Sequence, residues 1–275
     1  MGANSGALNL GLAESLAARA DADVLSGRVK AVVLAGGRGT RLAPYTSVLP
    51  KPLMPVGERA ILEVVVEQLA DSGVVDITLC VGYLSHLIRA VFENGARREG
   101  LRITYAHEAM PLGTAGPLRL IEGLDHTFLS MNGDVLTTLD YSDLVRHHIV
   151  NENVLTIATH RRTTRIDYGV LSSEKTANGD RVVEYREKPE FPMTVSMGVY
   201  VIEPAALQYI PANEHFDFPD LVHALLADGA PVGSYEYDGL WFDIGRREDY
   251  EQAVAMWDAH TSPLRAADAL LPPGS

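Results

Sequence analysis

The chain has 275 residues, 47% of them hydrophobic, a formal net charge of −13 and one cysteine, enough apolar content to bury a large core in one α/β domain or one domain with an insertion. The acidic balance argues against a broad nucleic-acid or anionic-membrane surface, which clustered Lys and Arg would have to build, and no apolar run reaches the ~20 residues that cross a bilayer. Cys80 sits in a predicted strand and has no partner for an internal disulfide, which fits a cytoplasmic protein.

Residues 1–27 precede the first strand. Leu8, Leu12 and Leu16 recur at helical spacing, but Gly2, Gly6, Gly11 and Gly27 weaken a helix there. The reading is a partly ordered extension, without the basic leader of a signal peptide, that docks on the body or on a neighbouring subunit. A hydrophobic strand over Ala31 to Leu34 then runs into Ala35-Gly36-Gly37-Arg38-Gly39-Thr40-Arg41, and the chain continues extended through Pro44, Pro50 and Pro52. Glycines without a Cβ let backbone N–H groups come close to an anion, and Arg41 and Lys51 add fixed positive charge, so this stretch reads as a phosphate grip. It is not a dinucleotide fingerprint, because Leu42 takes the place of the last glycine and the prolines forbid a long helix. The Gly-Lys-Ser/Thr of a Walker loop is absent.

Further along, the spacing predicts helices over Arg59 to Ser72, Ser85 to Glu93 and Asp140 to Val150, with Asn94-Gly95 ending the second. They alternate with strands at Ile77 to Gly82, Leu101 to Ala106, Phe128 to Met131 and Val154 to Thr159, the signal for a parallel sheet with right-handed crossovers. Ligands of such sheets sit beyond the carboxyl ends of the strands, where both the glycine loop and Asn132-Gly133-Asp134 fall. Short extended pieces follow at Tyr168 to Leu171, Arg181 to Arg186 and Val195 to Ile202, set apart by Asn178-Gly179-Asp180, Pro189 and Pro192. They read as an antiparallel subregion that closes over a sugar. Helices over Phe218 to Ala227 and Arg246 to Ala259 flank a strand pair, Pro231 to Tyr237 and Gly239 to Asp243. The expected organisation is a single domain over 28–260, its nucleotide-binding part about 28–150 and its sugar-binding part about 151–245, with a loose tail over 261–275. The fold class is α/β, a three-layer doubly wound and mostly parallel sheet. The histidines form no metal-binding pattern, and no G-x-S-x-G elbow points to a hydrolase.

The run Leu34 to Pro52, with its G-G-x-G-T-R-L and P-K-P, resembles the opening signature of the sugar-1-phosphate nucleotidyltransferases, and the resemblance extends from about Lys30 to Tyr250. His107-Glu108 followed by Pro111-Leu112-Gly113-Thr114-Ala115-Gly116-Pro117-Leu118 looks closest to the mannose-1-phosphate guanylyltransferase branch. The resemblance implies the nucleotide-diphospho-sugar transferase fold. It also implies in-line attack of a sugar 1-phosphate on the α-phosphorus of a nucleoside triphosphate, with Mg2+ present and pyrophosphate released. Asp134 and Asp243 match the family's metal positions, and Arg41 and Lys51 its phosphate grips. Leu34, Ala35, Gly36, Gly37, Gly39, Thr40, Glu108, Gly113 and Thr114 fall at its nucleotide contacts, and Gly169, Glu187, Lys188 and Ser196 on its sugar-phosphate side. A carboxylate only accepts hydrogen bonds, so Glu108 favours guanine, with its adjacent N1–H and N2–H2 donors. GTP with mannose 1-phosphate is therefore the first expectation. Ser196 stands where many relatives have Asn, which keeps a heptose, octose or cyclitol phosphate open, as another triphosphate also stays open. The alternative from another class is a non-catalytic regulatory subunit that binds nucleotide sugars. No nucleic-acid or membrane partner is expected, and homo-oligomerisation is left open.

Overall fold

The protein is described by a computed structural model covering residues 14–24, 26–37, 39, 46, 48–94, 99–108 and 110–258. Helix α1 (residues 14–24) comes first; its Ala20 and Val24 are buried and Leu16 packs beside them, while Leu8 and Leu12 lie outside the described residues. Strand β1 (Lys30–Leu34) leads to the short hairpin β2 (Pro55–Val56) and β3 (Arg59–Ala60), then to α2 (Ile61–Asp71), β4 (Asp76–Val81), α3 (Ser85–Asn94) and β5 (Arg102–His107). Next come β6 (Phe128–Asn132), β7 (Val135–Thr137), α4 (Tyr141–Val150), β8 (Leu155–Arg165), β9 (Gly169–Thr176), β10 (Gly179–Glu187) and β11 (Glu190–Ile202). Helix α5 (Phe218–Ala227), β12 (Val232–Glu236), β13 (Trp241–Asp243) and α6 (Arg247–Asp258) complete the described chain.

Seven strands form one sheet in the order β12-β8-β11-β6-β1-β4-β5. All neighbouring pairs are parallel except those made by β11, which runs antiparallel to both β6 and β8. The sheet is covered on both faces because side chains alternate along each strand. Ala31 and Val33 of β1 join a core with α1, α2, α3, α4 and α6, whereas Val32 points into a second core with Phe218, Leu221 and Leu225 of α5. This is the expected three-layer α/β arrangement. Among the described residues no helix is long and apolar enough to cross a membrane.

Two expectations are corrected. The stretches expected to pair with one another after α5 do not: β12 joins β8 in the main sheet, and β13 pairs with β7, Asp243 opposite Val135. The turn at Asp238 therefore carries the chain from one sheet to another, a long-range choice that local alternation does not encode. Pro192 does not end a strand; it lies inside β11, opposite Thr163 of β8. It is tolerated because β11 meets β6 only from Val199 onward, so the missing N–H falls where one edge of β11 has no ladder to lose. The extra length of β8 and β11 makes an arm projecting beyond β6, and the β9–β10 hairpin springs from it.

Candidate active site

The carboxyl ends of β1, β4, β5 and β6 open on one cleft of about 660 Å³. Its floor is backbone. The Ala35 N–H donates to the Cys80 carbonyl at 2.8 Å, the Gly133 N–H to the Leu34 carbonyl at 2.9 Å, and the Tyr83 N–H to the Gly36 carbonyl at 3.3 Å. A Cβ on Gly36 would stand 2.7 Å from Glu108 Oε1, so the glycine makes room for that carboxylate. A Cβ on Gly37 would meet nothing within 4 Å, so nothing in the described chain requires a glycine there. Gly39 has φ +60° and its carbonyl accepts from Thr46 Oγ1 at 2.8 Å.

Glu108 follows β5, and its N–H reaches back to the Val81 carbonyl at 3.1 Å. One carboxylate oxygen accepts the Leu112 N–H at 3.3 Å. Burial pushes its pKa up, against the Leu112 bond and the charge of His107, which both pull it down. The loop that follows is fastened to the start of α5. Asp217, the residue before that helix, accepts from the Thr114 N–H at 2.8 Å and from Thr114 Oγ1 at 3.0 Å. The Thr114 hydroxyl oxygen accepts the Phe218 N–H at 2.9 Å in return. Asp220 closes the start of the helix, its carboxylate accepting the Asp217 N–H at 2.9 Å.

Across the cleft Lys51 begins a 3-10 turn after Pro50 and is nearly buried. Its Nζ contacts Asp134 Oδ2 and lies 3.9 Å from Asp243 Oδ1. The two aspartates are brought side by side by the β7–β13 pairing, in which the Ile244 N–H donates to the Asp134 carbonyl at 3.0 Å. Asp243 Oδ1 also accepts the Gly245 N–H at 2.8 Å. Helix α6 braces the β2–β3 hairpin that follows Lys51: the Tyr250 hydroxyl donates to the Pro55 carbonyl at 2.8 Å, and Trp257 packs so closely on Gly57 that a Cβ there would lie 2.2 Å from its ring.

Leu34, Ala35, Gly36, Gly37, Gly39, Lys51, Glu108, Gly113, Thr114 and Asp134 thus share one cleft, with Asp243 against Lys51 at its edge. Thr40 and Arg41 lie outside the described residues. Gly169, Glu187, Lys188 and Ser196 are not among the residues lining the cleft. Gly169 and Glu187 are ladder partners on the β9–β10 hairpin, where Glu187 accepts from the Tyr185 hydroxyl, and Lys188 next to them has φ +46°. The Ser196 hydroxyl donates to Tyr200 Oη and accepts the Gly198 N–H, both at 3.2 Å.

A family model described as Nucleotidyl transferase matches residues 30–259. The chain belongs to the nucleotidyl transferase family. Among its relatives, the mannose-1-phosphate guanyltransferase beta-B of Xenopus laevis is 32% identical over 235 residues, 83% of this chain and 64% of that protein. The UTP–glucose-1-phosphate uridylyltransferase of Synechocystis sp. is 32% identical over 246 residues, 82% of this chain and 62% of that one. The chain thus spans just under two thirds of the length of these two relatives. The crystal structure of HddC from Yersinia pseudotuberculosis complexed with GMP-PN shares the fold, with a TM-score of 0.62 and 24% identity over 82% of this chain and 98% of that one.

Several cleft residues of this nucleotidyl transferase escaped the sequence reading: Gly82, Tyr83, Met110 and His215. For Gly82 and Tyr83 a signal existed, since they directly follow a parallel strand, where ligands of such sheets gather. His215 had none. It reaches the cleft only because the Phe216 carbonyl accepts the Ala115 and Gly116 N–H groups, each at 2.9 Å, a pairing across a long loop.

Proposed function

We propose that the protein transfers a nucleoside monophosphate from a nucleoside triphosphate to a sugar 1-phosphate, releasing pyrophosphate. The observation that carries this reading is the Lys51 ammonium set between two carboxylates at the edge of a glycine-floored cleft. Attack on an α-phosphorus adds charge to oxygens already anionic, so such a reaction needs positioning and neutralisation more than acid–base chemistry. Lys51 would bind the α-phosphate, and the glycine floor the rest of the triphosphate. The attacking phosphate oxygen is ionised near neutral pH, so no general base is required of the chain.

Asp134 and Asp243 fit a divalent cation. They are hard oxygen donors, 17% and 32% exposed, converging from neighbouring strands on a single positive charge. Two carboxylates would leave places for phosphate oxygens and water, as Mg2+ prefers. When bound, Mg2+ would neutralise charge on the triphosphate.

Glu108 supports guanine as the base, since its ionised form accepts two neighbouring donors. The relatives named mannose-1-phosphate guanyltransferases support mannose 1-phosphate or a close analogue as acceptor. The uridylyltransferase relative is equally identical and keeps UTP in the comparison. A panel of triphosphates and sugar phosphates, followed by pyrophosphate release, tests the reading. GTP with a hexose 1-phosphate should give the highest kcat/KM. Lys51→Ala should lower kcat by about 100-fold or more, the order seen when one transition-state charge stabiliser is removed. No pyrophosphate from any pair, or wild-type turnover by the variant, would contradict it.

A further inference from the structure

Asp249 lies in the first turn of α6 with a side chain only 7% exposed. Its Oδ2 accepts the Asp243 N–H at 3.0 Å and a bond from Arg162 Nη2, while its Oδ1 accepts from Arg162 Nη1 at 3.2 Å. Arg246 Nε stands 3.9 Å from Oδ1. Arg162 is opposite Met193 in the β8–β11 arm, and its guanidinium lies 4.4 Å from the ring centre of Trp241, two residues before Asp243 on β13. Trp241 Nε1 in turn donates to the Met197 carbonyl of β11 at 3.1 Å. One carboxylate therefore joins three elements: α6, the arm, and the strand that presents Asp243 to Lys51.

A buried ion pair gives little net stability over an apolar pair of the same volume, because both charges must be stripped of water. Its value here lies in direction: a two-pronged guanidinium–carboxylate pair fixes an orientation that apolar packing would leave loose. We infer that Asp249 is a positioning residue, which with Arg162 sets the Asp243 backbone and ties it to the arm bearing Gly169, Glu187 and Lys188. Docking of a sugar phosphate on the arm is then felt at Asp243 through Arg162, without direct contact. This rests on the proposed function.

The test uses the full chain carrying Asp249→Asn, which keeps the shape but loses the ionic fork, and Arg162→Met, which keeps cover on Trp241. Mn2+ affinity is measured by electron paramagnetic resonance with a non-hydrolysable GTP analogue bound, alongside steady-state kinetics well below each variant's melting temperature. Outer partners of metal-binding carboxylates are worth about 10- to 100-fold in affinity or activity, so each variant should lose about tenfold in Mn2+ affinity and 10- to 100-fold in kcat. KM for GTP should stay within about threefold, since the glycine floor is untouched. Wild-type Mn2+ affinity and kcat in either folded variant overturn the inference, and if Asp249→Asn does not fold, Arg162→Met decides alone by the same measures. A wild-type protein that releases no pyrophosphate from any substrate pair overturns the proposed function and this inference together; an active wild type with unaltered variants overturns only the inference.

Discussion

Burial of Glu108 raises its pKa, and the Leu112 N–H and the His107 charge offset this only in part. The sign has consequences for binding. Above the raised pKa the carboxylate is ionised and accepts from both guanine donors; as pH falls through it, the group gains a proton and one acceptor becomes a donor. GTP affinity should therefore fall with pH across that window, measured as Kd by calorimetry. Folding stability runs the other way, with the contribution of this group present below its unfolded pKa and lost as pH rises through the folded value. Glu108→Gln should abolish the pH dependence and raise KM for GTP by about 10- to 100-fold, the scale of a hydrogen bond to a charged acceptor. An unchanged triphosphate preference would remove the guanine reading. A second residue separates binding from folding. Gly37→Ala meets no atom of the described protein, so its stability should stay the same or rise by up to about 1 kcal/mol while triphosphate binding is lost. Glu108, Lys51, Asp134 and Asp243 were legible in the sequence because each lies within three residues of a glycine, proline or tryptophan that marks its motif. Asp249 and Asp217 were not, because their partners Arg162 and Thr114 are 87 and 103 positions away.

At the scale of elements, the cleft wall formed by residues 111–116 is a loop whose shape is borrowed from α5. Gly113 has φ +83°, and a Cβ there would lie 2.6 Å from the Phe216 carbonyl oxygen. That neighbour is backbone and cannot swing aside. Gly113→Ala should therefore cost about 1–3 kcal/mol by urea unfolding and raise KM for the triphosphate, since Thr114 lies in this loop and Glu108 precedes it. Thr114→Ala removes the hydroxyl's bond to Asp217 and the one it accepts from the Phe218 N–H, but no backbone geometry, and should cost about 1–2 kcal/mol. If Gly113→Ala is as stable as the parent, the loop is not held as described. Helix periodicity and capping made α2, α4 and α5 readable to within two residues, since their signals are local. The pairing partners of β12 and β13 were not readable, because either could have matched several strands by alternation alone.

The whole molecule divides into a sheet buried on both faces and an arm that is not. β9 and β10 pair with each other and lie outside the seven-stranded sheet, and their side chains are almost all exposed, Tyr168, Leu171, Val182 and Tyr185 among those on and beside them. A two-stranded hairpin with so little burial is marginal by itself, so its amides should open locally far more often than those of β1. Opening free energy follows buried apolar contact, and Ala31, Val32 and Val33 are wholly buried. Hydrogen exchange should thus find amides of 170–186 exchanging at least about 100-fold faster than those of 31–34, a difference of roughly 3 kcal/mol in opening. If Gly169, Glu187 and Lys188 hold the sugar phosphate, adding the nucleotide-sugar product should slow exchange in the hairpin as well as around 34–37, whereas GTP alone should protect only the glycine floor. Equal protection of the hairpin by GTP alone would place the sugar elsewhere, and protection of neither segment by the product would remove the arm from the site.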